Sequence, residues 1–308
     1  MIEYVIGIDG GGTNARLCAT DKSGRILYEG SGGGTNLCAS SAEQVRGVLT
    51  ALVGGCVERL GGKPSAVCIG SAGIINEDTE KRMRRILADL TDCGTGRITV
   101  CNDAVIALKA NLGDDAGISI TAGTGTICLA QDGNGNTLRV SGWGHLFSDE
   151  GSAYWIAKRA LEKVCLSHDG RIGPTELTDE FFRALAVGSF DDLIAAVYAD
   201  WQDKERFASL AGLVDISAEK GDGAAIEVLQ EAARQLYAIC GYAAGKLYGG
   251  DKPFRVVKNG GVLKNCAVVR DTFDALMTEA YPLCTIEYGE RSAVLGAADC
   301  ARTLLKQL

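Results

Sequence analysis

Near its N-terminus the chain carries an apolar run that passes directly into a glycine turn, Tyr4-Val5-Ile6-Gly7-Ile8-Asp9-Gly10-Gly11-Gly12-Thr13-Asn14. The pattern predicts a buried strand, a tight turn and a hairpin partner over residues 16–20. Glycine lets backbone N–H groups approach an anion closely, and threonine adds a hydroxyl donor. No Gly-Lys-Ser/Thr follows and the next element reads as a strand, so this is neither a Walker loop nor a dinucleotide fingerprint. We expect the phosphates of a nucleotide at Gly11, Gly12, Thr13 and Asn14.

A second turn of the same kind lies about one domain further on, in Gly117-Ile118-Ser119-Ile120-Thr121-Ala122-Gly123-Thr124-Gly125-Thr126. It also follows a short apolar run and precedes another one. Glycine hairpins are common, so one turn alone is a weak signal. Two facing turns could hold a nucleoside triphosphate from both sides, which predicts phosphate contacts at Gly123, Thr124 and Gly125.

Length, composition and charge exclude several classes of protein. The chain has 308 residues, of which 46% are hydrophobic, and its formal net charge is −8. The length favours two domains, and the acidic balance argues against binding to nucleic acid or to an anionic membrane surface. No apolar stretch reaches the roughly 18 residues of a membrane span. With no visible targeting segment, we expect a cytoplasmic protein.

The 12 cysteines form no Cys-x-x-Cys pair, and most lie in apolar runs. They are expected to be small buried hydrophobic residues of a reduced protein rather than a disulfide framework.

The order of predicted elements favours an α/β fold with mixed sheets flanked by helices. Three antiparallel strands, a glycine-rich loop at residues 30–34 and alternating helices and strands make up the first half. The second half repeats this order around the second turn. We predict an N-terminal lobe over residues 1–115, completed by a C-terminal helix at 292–308, and a C-terminal lobe over 116–291. A cleft is expected between the two lobes.

Two aspartates at predicted strand ends are candidates for chemistry. Asp9 could hold Mg²⁺, directly or through water, or it could only cap the turn. Asp103 follows the predicted strand 97–101 and could be a general base for an alcohol. It could equally be the N-cap of the helix that begins near Ala104. The residues alone leave both questions open.

The densest cluster of chemistry-bearing residues is the loop over residues 141–152, with Gly142, Trp143, His145 and Asp149. Carboxylates and an aromatic wall are what a sugar needs. Alternatively, Asp149 and its neighbour Glu150 only compensate a helix dipole. His145 and His168 supply too few ligands for zinc, so a structural histidine is expected.

Two polar or glycine-rich junctions complete the candidate site. Thr35-Asn36 follows the predicted glycine loop and is either a ligand contact or only a turn. Gly260-Gly261 follows the predicted strand 254–258, where a base or ribose could lie against glycines. A helix-entry turn is the alternative.

Together these motifs resemble the N-acetylglucosamine kinase branch of the BadF/BadG/BcrA/BcrD ATPase family, within the sugar kinase, Hsp70 and actin superfamily. The resemblance covers almost the whole chain, and residues 142–155 are its most specific part. It implies two ribonuclease-H-like lobes, ATP with Mg²⁺, an amino-sugar substrate and a homodimer. By position, Thr13, Thr124 and Ala208 match nucleotide contacts, and Asp103 matches the catalytic base. The positions that match sugar contacts are Asn36, Asp103, Gly142, Trp143 and Asp149. Ile127 departs from the vertebrate members, which have an asparagine there.

The resemblance implies a kinase that phosphorylates the 6-hydroxyl of N-acetylglucosamine, N-acetylmuramic acid or both. Three alternatives stay open: a glucosamine kinase, an ATPase that activates a radical dehydratase, and a sugar sensor without catalysis. The scattered cysteines argue against the activator, and the candidate base Asp103 argues against the sensor.

Overall fold

A computed structural model describes residues 3–249 and 252–306, and the chain forms two compact units. The N-terminal unit consists of Met1–Asp115 and Gly289–Leu308, and the C-terminal unit consists of Ala116–Tyr288. The second boundary lies three residues before the expected one. Residues 307 and 308 of the expected final helix lie outside the described residues.

The N-terminal unit is built on a five-stranded mixed sheet with the strand order β3-β2-β1-β4-β5. Its strands are β1 (Val5–Gly10), β2 (Asn14–Thr20), β3 (Ile26–Gly33), β4 (Ala66–Ser71) and β5 (Ile98–Cys101). The first three strands are antiparallel, as predicted, whereas β4 and β5 run parallel to β1. The first glycine turn therefore joins the central strand to its hairpin partner.

Among the residues that the structure describes, four helices belong to this unit, namely α1 (Ala42–Leu60), α2 (Glu77–Thr91), α3 (Asp103–Leu112) and α12 (Ala293–Lys306), with a 3₁₀ turn at Thr95–Arg97. Helix α1 begins with a capping box in which Ser41 and Gln44 satisfy each other's backbone N–H groups. Its buried positions Val45, Leu49 and Leu52 have helical spacing and pack into the core with β1 and β4 residues.

Small residues let α12 pack closely on β1 and α3. A Cβ atom on Gly7 of β1 would overlap the backbone of Ala298, and one on Gly296 would overlap the carbonyl of Ile106 in α3. Such contacts leave no room for a side chain, so the helix is fixed against both elements. This packing sets the position of α3, whose first residue is Asp103.

The prediction of a glycine-rich loop at residues 30–34 is wrong, because strand β3 continues to Gly33. Cβ atoms on Gly30 and Gly32 would lie 3.5 and 3.3 Å from the Leu52 side chain of α1. The glycines are thus sites where a helix packs tightly on an edge strand rather than loop residues.

The C-terminal unit repeats this topology with the strand order β10-β9-β6-β7-β8. The strands are β6 (Gly117–Ala122), β7 (Thr126–Gln131), β8 (Thr137–Val140), β9 (Phe254–Asn259) and β10 (Cys284–Tyr288). The first strand of the unit is again central, antiparallel to the second and parallel to the fourth. The predicted α/β class with two mixed sheets flanked by helices is confirmed.

The helices of this unit are α4 (Ala153–His168), α5 (Glu176–Leu185), α6 (Phe190–Asp200), α7 (Lys204–Ala208), α8 (Ala211–Glu219), α9 (Gly223–Leu247), α10 (Gly261–Asn265) and α11 (Ala267–Ala280). Along the described parts of the chain, no helix combines the length and apolar character that crossing a bilayer requires.

Candidate functional site

The first glycine turn is a tight hairpin whose tip is open to solvent. Gly11 N donates to the carbonyl of Asn14 at 2.9 Å, and Thr35 N donates to the carbonyl of Gly11 at 3.1 Å. Gly12 and Thr13 are exposed, and a Cβ on Gly12 would have no protein atom within 4 Å. The fold itself therefore does not require glycine at position 12, which leaves the close approach of a ligand as a reason for it.

Two predicted functional carboxylates lie within electrostatic reach of each other in this unit. Asp9 is at the carboxyl end of β1, and Asp103 is the first residue of α3. Burial raises the pKa of Asp9, the negative charge of Asp103 raises it further, and Arg16 opposes both effects. The predicted base and the predicted metal-binding residue are thus brought together.

The sequence left open whether Asp103 is the N-cap of α3 or has a catalytic role. In the structure the neighbouring residue supplies the cap. Asn102 is the N-cap of α3, and its side chain accepts a hydrogen bond from Ala104 N at 3.1 Å. Asp103 lies inside the helix, where its carboxylate also accepts from Ala104 N, at 3.0 Å. Its negative charge lies at the positive end of the helix dipole.

Asn36 lies next to the first turn because the preceding residue, Thr35, is hydrogen-bonded to Gly11. Its side-chain oxygen accepts from Cys38 N at 2.8 Å, so that oxygen holds a local turn. No described residue accepts a hydrogen bond from the Asn36 side-chain nitrogen, which is available to a ligand.

In the C-terminal unit, the second turn is tied to the start of α4. Gly123 N donates to the carbonyl of Gly125 at 2.9 Å, and Ala153 N donates to the carbonyl of Gly123 at 2.9 Å. Gly260 has φ +89°, and a Cβ there would overlap the carbonyl of Ala122 just before the turn. Two glycine segments far apart in sequence therefore meet backbone to backbone.

These segments open into a cavity of about 500 Å³ within the C-terminal unit. Its lining includes four predicted nucleotide contacts, Gly123, Thr124, Ala208 and Gly261. A cavity of this size, with backbone groups at one end, suits a small-molecule ligand.

The cavity also contains residues that sequence reasoning missed, among them Gly212, Asp215, Asn265 and Cys266. Burial raises the pKa of the Cys266 thiol to about 12, so the thiol is inert at neutral pH. The sequence offered one signal for Asn265, namely its position at the end of the short helix that Gly261 begins.

The loop over residues 141–152 is closed by its own polar contacts. Ser141 Oγ lies 3.0 Å from Ser148 Oγ and 3.1 Å from a carboxylate oxygen of Glu150. The guanidinium of Arg139 stacks 4.0 Å above the Trp143 ring, which is 59% exposed. The loop thus presents a broad aromatic face that is fixed from behind by a cation–π contact.

The residue that departs from the vertebrate pattern lies against this loop. Gly142 has φ +81°, and a Cβ there would lie 2.9 Å from Ile127 Cβ. An apolar branched side chain therefore replaces an amide beside a predicted sugar contact.

Asp149 is 3% exposed, and its carboxylate accepts a hydrogen bond from Lys204 Nζ at 3.0 Å. Helix α4 is capped by Ser152 and has no acid in its first turn. Asp149 therefore has a side-chain partner outside the start of α4, in addition to any effect on the helix dipole. Lys204 was not predicted from the sequence.

His145 packs edge-on against Tyr154, with ring centroids 4.6 Å apart. Burial lowers its pKa, the Lys204 ammonium lowers it further, and Asp149 opposes them. Across residues 3–249 and 252–306, no group of three or more His, Cys, Asp or Glu side chains could hold a metal ion. Mg²⁺ bound together with a nucleotide needs only one or two carboxylates, a requirement that Asp9 fits.

The structure thus groups the predicted residues within each unit. Asp9, the first turn, Asn36 and Asp103 lie in the N-terminal unit. The second turn, Ala208, Gly260, Gly261, Gly142, Trp143 and Asp149 lie in the C-terminal unit.

The chain belongs to the BadF/BadG/BcrA/BcrD ATPase family, which residues 6–301 match. This confirms the family that the sequence motifs resemble.

Three curated proteins are similar over most of the chain. The N-acetylmuramic acid/N-acetylglucosamine kinase of Clostridium acetobutylicum is 32% identical over 98% of this chain and 99% of its own length. The N-acetyl-D-glucosamine kinase of Dictyostelium discoideum is 28% identical over 96% and 97%. A glucosamine kinase of Vibrio cholerae is 27% identical over 76% and 78%.

Solved structures share the fold. A candidate N-acetylglucosamine kinase from Chromobacterium violaceum superposes with a TM-score of 0.74 at 24% identity, over 98% of this chain and 99% of that one. A ROK-family glucokinase from Streptomyces griseus, solved with glucose and AMPPNP, superposes with a TM-score of 0.60 at 20% identity, over 97% and 99%.

Proposed function

We propose that this protein phosphorylates the 6-hydroxyl of N-acetylglucosamine, N-acetylmuramic acid or both, with ATP as donor and Asp103 as general base. The coarser class, an ATP-dependent sugar kinase, follows from the ATPase family and the three curated sugar kinases that resemble the chain. The observation that carries the proposal is the cavity that joins the second turn, Ala208 and Gly261.

In the N-terminal unit, Asp103 accepts the proton of the sugar hydroxyl. The bond from the sugar oxygen to the γ-phosphorus forms as the bond from that phosphorus to the β–γ bridging oxygen breaks, and ADP leaves. Asn102 is the N-cap of α3, so capping does not by itself account for an aspartate at position 103. The side-chain nitrogen of Asn36 donates a hydrogen bond to the sugar.

In the C-terminal unit, the N–H groups and hydroxyls of residues 123–126 orient the phosphates, and the cavity holds the nucleoside. The Trp143 ring forms a wall beside the sugar, and the buried Asp149 carboxylate accepts from sugar hydroxyls. The N–H and hydroxyl donors of the second turn are held in place before the reaction, so they can stabilise the negative charge that develops on the phosphates during transfer.

Asp9 is the residue that would hold Mg²⁺, which offsets the negative charge of the phosphates when it is bound. The raised pKa of Asp9, caused by burial and by Asp103, is what a cation would relieve. A homodimer and a cytoplasmic location stay predictions.

The test is a substrate panel of N-acetylglucosamine, N-acetylmuramic acid and glucosamine, each with ATP, and NMR of the product to locate the phosphate. Replacing the base should lower kcat of Asp103→Asn by a factor of about 10²–10⁴, with a smaller change in KM. Asp89→Asn is the matched control, since Asp89 is exposed in α2 of the same unit and pairs with Arg46. Near-normal turnover of Asp103→Asn would remove the base assignment.

Glucosamine kinase is the second candidate, supported by the Vibrio cholerae relative. It predicts the highest kcat/KM for the free amino sugar. ATP hydrolysis without phosphorylation of any sugar in the panel would instead favour an activating ATPase.

A further inference from the structure

Lys204 contacts both the second glycine turn and the predicted sugar loop. Its Nζ atom donates to Asp149 Oδ2 at 3.0 Å. A Cβ on Gly125 would lie 2.6 Å from that same oxygen and 2.9 Å from the Lys204 nitrogen. The ion pair is therefore packed directly against the turn, and only glycine leaves it room.

Charge and burial make Lys204 necessary at this place. The Asp149 side chain is 5% exposed, and a buried carboxylate is costly unless a cation or hydrogen bonds compensate it. It also lies beside the turn that we propose holds the nucleotide phosphates, which carry charge of the same sign. Lys204 offsets this repulsion, because its ammonium pairs with that carboxylate and is packed against the same turn.

Helix α7 connects this ion pair to the cavity. Lys204 is its first residue, and Ala208, its last, lines the cavity. Between them, the Phe207 ring packs at a tilt against the Tyr154 ring, with ring centroids 4.8 Å apart. The ion pair and the cavity are thus joined by the two ends of one five-residue helix whose aromatic side chain is packed in place.

We infer that Lys204 is a positioning residue that couples nucleotide binding to sugar binding. It holds Asp149 against Gly125 and offsets the repulsion between the Asp149 carboxylate and the nucleotide phosphates. The inference rests on the proposed function. It adds Lys204, and a coupling between the two ligands, to the residues of the proposed site.

The test compares the wild type with Lys204→Met, Lys204→Arg and a control, Lys163→Met. Lys163 pairs with Glu227 at 2.6 Å in the same unit, and it does not line the cavity. Calorimetry gives the Kd of N-acetylglucosamine with and without the β,γ-imido analogue of ATP, and initial rates give KM and kcat.

In the wild type, the analogue should tighten sugar binding. Coupling between two binding sites commonly changes the affinity for one ligand by 5–150-fold. We therefore expect the analogue to tighten sugar binding by about tenfold in the wild type, and we expect Lys204→Met to lose this gain and to raise the sugar KM by a similar factor. Lys204→Arg should recover most of it because it keeps the charge. Lys163→Met should behave as the wild type.

The inference is overturned if folded Lys204→Met keeps the wild-type coupling and sugar KM, or if Lys163→Met loses them equally. Thermal unfolding checks the fold, and Lys204→Gln replaces Lys204→Met if the latter does not fold. Failure of the proposed function looks different, since the wild type itself would then phosphorylate no sugar of the panel.

Discussion

Replacing Gly260 with alanine should damage the nucleotide site through the backbone alone. Gly260 has φ +89° and ψ 157°, a region that is essentially restricted to glycine, at a cost of about 1–3 kcal/mol for other residues. A Cβ there would also overlap the Ala122 carbonyl and lie 2.9 Å from Gly123 N. Overpacking of this kind adds about 1–3 kcal/mol. We expect Gly260→Ala to lower the free energy of unfolding by about 2–6 kcal/mol.

The substitution should also weaken binding of the ATP analogue, since Gly123 N closes the second turn by its bond to the Gly125 carbonyl. Urea unfolding followed by tryptophan fluorescence reports on the right unit, because Trp143, Trp155 and Trp201 all belong to the C-terminal unit. Calorimetry measures the nucleotide Kd.

The neighbouring residue provides a matched control. A Cβ on Gly261 would meet no atom closer than Asn265 Nδ2 at 3.7 Å, and its backbone is helical. Gly261→Ala should stay within about 0.5 kcal/mol of the wild type, as substitutions without a specific mechanism usually do. Because Gly261 lines the cavity, this variant is a control for stability and not for nucleotide binding. Equal free energies of unfolding for the two variants would refute the reasoning.

Two further predictions concern the N-terminal unit. Asp9→Asn should abolish turnover but stabilise the nucleotide-free protein at pH 7. The fold raises the pKa of Asp9, so the folded protein is destabilised when this carboxyl ionises, and asparagine removes that cost. The gain in urea-unfolding free energy should shrink as the pH falls toward about 4, and a gain independent of pH would contradict it. Bound N-acetylglucosamine should slow alkylation of exposed Cys38, next to the Asn36 turn, but not of exposed Cys165. Equal slowing of both thiols, read by mass spectrometry, would argue against a sugar contact at Asn36.

The central strands and both glycine turns were predictable because each is a local pattern. Residues 5–8 and 117–120 are apolar runs that end in glycines, and the sheets place both runs at the centre. The edge strands β8 and β10 were missed because they are short and partly exposed, so they lack a continuous apolar signal.

The misassigned glycine loop and the missed lysine share a different cause. Gly30 and Gly32 have the composition of a loop, and their place in a strand is explained only by the Leu52 side chain of α1, about 20 residues further on, which packs against them. Lys204 lies 55 residues from its partner Asp149 in a stretch with no motif. Both depend on contacts between segments far apart in sequence, which no local pattern encodes.

The start of α3 shows why the role of one residue could not be determined from the sequence. Asn102 and Asp103 are both good helix caps, and the sequence does not say which residue is the cap. The structure uses Asn102, which leaves a second carboxylate close enough to Asp9 to raise its pKa. Two like charges at the end of a buried strand weaken the free protein unless a cation or a proton comes between them. An arrangement that costs stability without a ligand is expected where a cation and a substrate bind, and this supports the proposal that Asp9 holds the cation and that Asp103 takes the hydroxyl proton.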